Sequence, residues 1–173
     1  MKKYIASLPK VIESDALFDS TGKHRLWFKR VWNREKLTAV FVMLNPSFGN
    51  KIEDDNTIKR SISKAYNNNC GSLEIVNLYS YVTSKLEELW KLKSDGENIL
   101  HLENDHHLKE ACKRGDIIVV ATGETAAWPR LVEILNLIKQ IGKSAKCVGQ
   151  TKLKFPKHPL FVSNGVRFVN FEI

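Results

Sequence analysis

Apolar runs and amphipathic stretches alternate along most of this chain. Four apolar runs have the length of buried strands, and they cover residues 39–44, 73–78, 116–121 and 145–149. Apolar residues recur at helical spacing in further stretches, which cover residues 56–68, 84–90, 103–113 and 126–141. Strands and helices in this order predict right-handed parallel units with helices packed on a sheet.

Short polar residues and glycines mark where two of these helices begin or end. Asp55 or Asn56 can cap the first helix, because a short side-chain oxygen accepts hydrogen bonds from the free amides of a first turn. Gly71 is expected to close that helix. Ser84 can cap the second helix, with Glu87 at the matching position of a capping box.

The two ends of the chain predict additional β structure. Residues 4–8 and 24–32 have the composition of extended segments, and a turn signal at residues 20–23 lies between them. Near the other end, Asn164 and Gly165 are typical of a two-residue turn and predict a last hairpin-like segment.

Together these elements predict an α/β fold, a three-layer α/β/α sandwich whose central sheet is mostly parallel and has about four strands. A short N-terminal β element covers residues 1–37, and the core covers residues 38–162. The chain has 173 residues, of which 43% are hydrophobic. This is enough for one buried core and too little for two, so we expect a single domain spanning residues 1–173.

The chain carries a formal charge of +8 and has a pI near 9.4. Clustered lysines and arginines attract anions, and nucleic acid is the first candidate partner. The basic residues concentrate in the first forty residues and again in residues 146–157, so two basic clusters can flank one groove. A solvated surface that binds no anion is the alternative explanation.

Three widely spaced cysteines show neither a disulfide framework nor the spacing of zinc ligands. No stretch of about 18 apolar residues occurs, and the N-terminus lacks the apolar core of a signal peptide. We therefore expect a cytoplasmic protein with no membrane partner. A phosphate-binding loop of the Walker type is also missing, and no cofactor is expected.

The polar elbow Met-Leu-Asn-Pro-Ser around Asn45 follows a buried strand and is the first candidate for chemistry. In a parallel sheet the carboxyl ends of the strands meet at one edge, so Asn45 and Asn77 are expected to lie close together. His158, in the loop after the fourth strand, can reach the same edge. With the acidic pair Asp54 and Asp55, these side chains supply acceptors, donors and one group that titrates near neutral pH.

Each of these residues also has a simpler structural explanation. Asn45 precedes a proline and can be a turn residue, the acidic pair can be a helix cap, and His158 can be an ordinary surface histidine. Asn77 is harder to explain this way, because a buried amide costs about 1–3 kcal/mol unless its hydrogen bonds are satisfied. Ser47 is not part of a nucleophile elbow, since the Gly-x-Ser-x-Gly frame is missing.

Several separated motifs occur in an order that resembles one family, the bacterial and phage domain of unknown function 1643. Its pattern is Leu-Asn-Pro-Ser, Asp-Asp-x-Thr-x-x-Arg, Val-Asn-Leu and Pro-Lys-His-Pro-Leu, and these motifs stand here at residues 44–47, 54–60, 76–78 and 156–160. The resemblance covers about residues 24–162. The chain departs from it at Thr122, where relatives more usually have tryptophan before the glycine.

The order of these motifs also resembles the uracil-DNA glycosylase superfamily, which implies a fold of that type. By this resemblance, Asn45 positions or activates a hydrolytic water, and Asn77 reads the Watson–Crick edge of a base extruded from the stack. His158 stabilises the charge on the departing base, and Leu160 lies in the loop that probes the duplex. The chain differs from that superfamily in having Ser47 in place of the second glycine, and Leu160 in place of serine.

Asn77 and Leu160 are also assigned to substrate binding. The other residues assigned to it lie in or beside the motifs and are Pro46, Ser47, Asp54, Asp55, Thr57, Arg60, Tyr79, Gly123 and Lys157. The acidic pair and the arginine one turn later can hold a ribose or a phosphate or, as an alternative, a divalent metal. No residue is assigned as a metal ligand.

These observations leave three functions open. The first is an enzyme that cleaves the N-glycosidic bond of a base or nucleoside, in DNA or in a nucleotide-like ligand. The second is a nucleic-acid or nucleotide binding module with the same fold and no catalysis. The third is a metal-assisted hydrolase built on Asp54 and Asp55.

Overall fold

The computed structural model describes residues 8–173, which fold around one mixed β-sheet. Its strands are β1 (Glu13–Phe18), β2 (Arg25–Val31), β3 (Leu37–Met43), β4 (Cys70–Asn77), β5 (Ile117–Val120), β6 (Ala145–Cys147) and β7 (Val169–Asn170). Its helices are α1 (Asn56–Asn67), α2 (Leu86–Ser94), α3 (Asn104–Arg114), α4 (Trp128–Gln140) and a 3-10 turn at Pro159–Phe161. Every helix within residues 8–173 is too short or too polar to span a lipid bilayer.

The strand order in the sheet is β1-β2-β4-β3-β5-β6-β7. The four central strands of that order run parallel, as the apolar runs predict, and β1, β2 and β7 run antiparallel to their neighbours. The expected number of about four strands is wrong, because residues 8–173 form a sheet of seven. Among the additional strands, β1 is half-exposed and β7 has only two residues, both exposed, so neither produces an apolar run.

The N-terminal β element belongs to the main sheet. β2 covers most of the extended segment predicted at residues 24–32 and pairs with β4. Its other neighbour is β1, and the turn between β1 and β2 contains Gly22 with φ of 71°. The second extended segment was predicted at residues 4–8, and all of it except Leu8 lies outside the described residues.

Helices cover both faces of the sheet, which produces three layers. Side chains of β3 alternate between the faces, so Phe41 and Met43 point toward α1 while Val40 and Val42 point to the other side. On the first face, α1 contributes Ile58, Ile62 and Ala65. On the second face, α3 and α4 contribute Leu108, Leu131, Ile134 and Ile138. Both faces of the central strands are therefore buried, as parallel strands require.

The start of α1 is as predicted, and its end is not. Asp55 occupies the N-cap and its Oδ1 accepts a hydrogen bond from the backbone N–H of Ile58 (2.9 Å). The helix ends before Asn69, which has a positive φ of 63°. Gly71, expected to close the helix, lies in β4, where an added β-carbon would come within 1.9 Å of the carbonyl oxygen of Asn33. Gly71 is thus needed for close packing between two segments.

Two other local predictions fail because other partners replace the expected ones. Ser84 does not cap α2, since Lys85 takes the N-cap position and no side chain caps the helix. The hydroxyl of Thr83 accepts a hydrogen bond from the backbone N–H of Lys85 (3.2 Å) and donates to Glu88 instead. The expected hairpin around Asn164 also does not form, because β7 pairs with β6.

Candidate functional site

A cavity of about 600 Å³ opens where β3 and β5 end and where the C-terminal loop returns to the sheet. This volume is within the range of small-molecule sites, about 300–1,000 Å³. Seven of the predicted site residues line it, namely Asn45, Ser47, Thr57, Gly123, Lys157, His158 and Leu160. The cavity thus lies at the carboxyl ends of the parallel strands, the edge at which open α/β proteins bind ligands.

The remaining six predicted residues are not on the cavity wall, and they are Pro46, Asp54, Asp55, Arg60, Asn77 and Tyr79. Asn77 is only 2% exposed, and its side-chain nitrogen has no hydrogen-bond partner among the described residues. The backbone carbonyl oxygen of Asn77 accepts a hydrogen bond from the side-chain nitrogen of Asn104 (3.0 Å). Tyr79 packs edge-on against Trp90 in the core. The structure therefore does not bring Asn77 and Tyr79 to the cavity with the others.

Backbone carbonyl groups fix the side chain of Asn45. Its nitrogen donates hydrogen bonds to the carbonyl oxygens of Thr83 (2.8 Å), Pro46 (3.1 Å) and Tyr81 (3.4 Å). Carbonyl groups only accept, so the amide nitrogen must face them. The side-chain oxygen Oδ1 is then the atom that remains for a ligand. Pro46 contributes through its backbone, which also accepts a hydrogen bond from the N–H of Thr83 (3.0 Å).

The imidazole of His158 is held in one neutral form. Its Nδ1 accepts a hydrogen bond from the backbone N–H of Leu160 (3.3 Å), so the proton of the neutral ring is on Nε2. Burial lowers the pKa of His158 to about 4; the carboxylate of Asp55 opposes this shift and the ammonium of Lys64 adds to it. At neutral pH the cavity therefore contains an uncharged imidazole with one N–H donor.

Gly123 brings the end of β5 against His158. Its φ is 73°, and a β-carbon at this position would lie 3.4 Å from the β-carbon of His158. The backbone N–H of Gly123 donates to the carbonyl oxygen of Pro156 (2.9 Å), and the N–H of Lys157 donates to that of Gly149 (2.9 Å). These contacts hold the loop that carries His158 against the ends of β5 and β6.

The acidic pair stabilises the loop before α1 and does not line the cavity. Asp54 accepts a hydrogen bond from Nε of Arg30 (3.0 Å) and forms an ion pair with the same guanidinium group, whose Nη2 is 2.9 Å away; the Arg30 side chain is 2% exposed. Asp55 accepts a hydrogen bond from the hydroxyl of Ser47 in addition to capping α1. The two carboxylates therefore have separate partners. Within residues 8–173, no three His, Cys, Asp or Glu side chains are grouped so that they could hold a metal ion.

Arg60 connects α1 to the C-terminal loop. Its Nη1 donates to the side-chain oxygen of Asn164 (3.0 Å), and its Nη2 lies 3.5 Å from the carbonyl oxygen of Leu160. The guanidinium group thus fastens the segment after His158 to the helix. The motif Asp-Asp-x-Thr-x-x-Arg accordingly contributes one residue, Thr57, to the cavity wall.

Sequence reasoning missed several residues that line the cavity, and Glu124 is the most important of them. It is the only carboxylate on the wall formed by the described residues. Glu124 directly follows Gly123 after the end of β5, so the rule that the ends of parallel strands meet at one edge could have included it. Thr83 comes from the segment between β4 and α2, which no motif marks. Phe161 lies on the cavity wall and is 82% exposed.

The motifs of the chain match a known family model. No curated protein and no solved structure matches the chain. The model described as a protein of unknown function, DUF1643, matches residues 25–160. This range covers more than half of the chain and contains all four motifs from which the family was predicted. The chain therefore belongs to the DUF1643 family.

Proposed function

We propose that this protein is a glycosylase-like enzyme that hydrolyses the N-glycosidic bond of a base or nucleoside, in DNA or in a nucleotide-like ligand. The observation that carries the proposal is the pair formed by Asn45 and His158 on one cavity wall. Asn45 has its side-chain oxygen available as an acceptor, and His158 has Nε2–H available as a donor. The order of the motifs, which resembles that of uracil-DNA glycosylases, supports the same reaction.

The neutral imidazole suits a departing base. When the bond between the sugar carbon and the base nitrogen breaks, its electron pair goes to the base, which becomes an anion. A donor aimed at that charge in a dry site stabilises the transition state more than the ground state. Since the pKa of His158 is about 4, the ring is uncharged at pH 7 and acts by donating a hydrogen bond from Nε2–H.

Water supplies the other half of the reaction. A water molecule attacks the sugar carbon and loses a proton, and an amide oxygen such as that of Asn45 orients this water but is too weak a base to take the proton. Glu124 lines the same cavity, and a carboxylate is a suitable acceptor. We assign orientation of the water to Asn45 and acceptance of its proton to Glu124.

Positive charge at the cavity supports an anionic substrate. Lys157 lies on the cavity wall, while Lys152 and Lys154 are exposed in the preceding loop. Together with the formal charge of +8, these lysines raise the local concentration of phosphate-bearing ligands. A metal-assisted hydrolase is not proposed, because the partners of Asp54 and Asp55 are Arg30, Ser47 and the first turn of α1.

A base-release assay tests this function. Single- and double-stranded oligonucleotides carrying uracil, mismatches or modified pyrimidines are incubated with the native protein and with Asn45→Ala, His158→Ala and Glu124→Gln. We expect release by the native protein and a fall of about 10²-fold or more in each variant, the usual range for a general acid or base or for a transition-state hydrogen bond.

Three exposed residues that do not line the cavity provide matched controls. Asn136→Ala, His106→Ala and Glu87→Gln remove the same chemical groups at surface positions and are expected to release base at the native rate. Absence of release from every substrate by the native protein contradicts the proposal. If binding that weakens steeply with salt is then still found, the protein is a nucleic-acid binding module.

A further inference from the structure

Lys64 is a lysine with no exposed surface, and it is the only buried lysine among the described residues. It lies in α1, and its Nζ donates a hydrogen bond to the carbonyl oxygen of Val162 (2.9 Å). An ammonium group has three donors, and this carbonyl is its one hydrogen-bond partner within residues 8–173. A charged group is thus buried with little direct compensation.

Such a residue is costly for the fold. Burial disfavours the charged form and lowers the pKa of Lys64 to about 8, and the neighbouring positive charge of Arg60 adds to this. An apolar side chain of similar length would fill the same space without desolvating a charge. Packing therefore does not explain why this position has a lysine. The explanation must lie in the polar contacts of its ammonium group.

The partner of Lys64 belongs to the segment that forms one wall of the cavity. Val162 directly follows Phe161 and comes four residues after His158. Other polar side chains of α1 and of its C-cap residue Asn68 donate to the residues that follow Val162. Arg60 donates to Asn164 (3.0 Å), Asn67 to the carbonyl of Asn164 (2.9 Å), and Asn68 to the carbonyl of Val166 (2.8 Å).

We propose that Lys64 is a positioning residue for the cavity, whose buried ammonium group anchors the segment from His158 to Val162 on α1. The anchor acts on the backbone just after the 3-10 turn that carries Leu160 and Phe161. Loss of this anchor is expected to free the segment without removing any residue that lines the cavity.

The charge has a second effect that can be measured on His158 itself. Two charged groups act on this ring in opposite directions, since the carboxylate of Asp55 favours the protonated imidazole and the ammonium of Lys64 disfavours it. Arg60 is the charged group that acts on Lys64. Removal of the Lys64 charge leaves the effect of the Asp55 carboxylate without an opposing charge, so the pKa of His158 should rise. Burial should still keep it below the ordinary value for histidine.

Two substitutions separate the anchor from the charge. Lys64→Met removes both, while Lys64→Gln removes the charge and keeps an N–H donor for Val162. Lys59→Met is the matched control, because Lys59 is an exposed lysine in the same helix. The pKa of His158 is measured by NMR titration of the ring, and the stability of residues 158–166 by amide hydrogen exchange.

In Lys64→Met we expect the pKa of His158 to rise. We also expect amide exchange in residues 158–166 to become faster by on the order of tenfold, which corresponds to the loss of about one charge-assisted hydrogen bond. In Lys64→Gln we expect the higher pKa with exchange closer to native. The proposal is overturned if His158 titrates in both variants as it does in Lys59→Met, or if exchange in Lys64→Met is native. These readouts need no substrate, so they stand whether or not base release is found.

Discussion

The side-chain nitrogen of Asn45 lies 2.8 Å from the carbonyl oxygen of Thr83. This hydrogen bond joins the end of β3 to the segment before α2, and both residues line the cavity. It also determines which end of the amide faces the ligand, because the carbonyl groups around it can only accept. The role of Asn45 is thus tied to the nitrogen atom as well as to the oxygen.

Asn45→Asp should therefore harm the protein even though it introduces a stronger base into the cavity. A carboxylate cannot donate to the carbonyl groups of Thr83, Pro46 and Tyr81, and it would repel them. We expect a loss of about 2–3 kcal/mol in the free energy of unfolding and no gain in base release. Urea denaturation measures the first effect, with Asn136→Asp as the exposed control. Native stability in Asn45→Asp would contradict the geometry described for the amide.

The stability of the protein should depend on pH through His158. Its pKa is about 4 in the folded protein and close to the ordinary value of about 6.5 in the unfolded chain. Between these values the unfolded chain binds more protons, so the free energy of unfolding rises with pH. The contribution is fully present above pH ~6.5 and is lost as the pH falls to about 4, with a total on the order of 3 kcal/mol.

Comparison of the native protein with His158→Gln isolates this effect, since the other histidines remain in both. Among them, burial also lowers the pKa of His24 and His107, and their contributions cancel in the difference. Urea denaturation at several pH values between 4 and 7 should show a steeper pH dependence for the native protein. Parallel curves for the two proteins would mean that His158 titrates normally in the folded state.

Two carboxylates in ion pairs should differ sharply in their effect on stability. Asp54 pairs with Arg30, whose side chain is 2% exposed, while Asp95 pairs with Lys91, whose side chain is 74% exposed. Asp54→Ala leaves a buried guanidinium without its carboxylate and should cost about 3 kcal/mol. Asp95→Ala should leave the free energy of unfolding close to the native value, because water and salt screen an exposed pair. Thermal or urea denaturation of both variants checks this, and similar losses would contradict it.

Gly123→Ala should affect both stability and the cavity. The backbone at Gly123 has φ of 73°, a conformation that costs other residues about 1–2 kcal/mol. The new methyl group would also contact His158, 3.4 Å away. Gly96→Ala is the control, because Gly96 has φ of 85° and nothing within 4 Å of an added β-carbon. Both variants should lose similar stability, but only Gly123→Ala should change the NMR signals of the His158 ring.

Local patterns along the chain predicted a substantial part of this structure. The parallel strands follow from apolar runs, and the Asp55 cap follows from the position of a short acid before an amphipathic helix. Asn45 and His158 were placed at the same edge because parallel strands share a direction. In contrast, β1 and β7 have no such pattern, because β1 is half-exposed and β7 consists of two exposed residues.

The same distinction explains the residues of the cavity. By itself, the sequence determined which segments are buried, which edge of the sheet collects polar side chains, and to which family the chain belongs. Only the tertiary structure decided that Asn77 does not line the cavity, that Glu124 lines it and that Lys64 is buried. The reason is that these outcomes depend on partners far along the chain, such as Val162, which lies 98 residues from Lys64. Local spacing carries no information about such contacts.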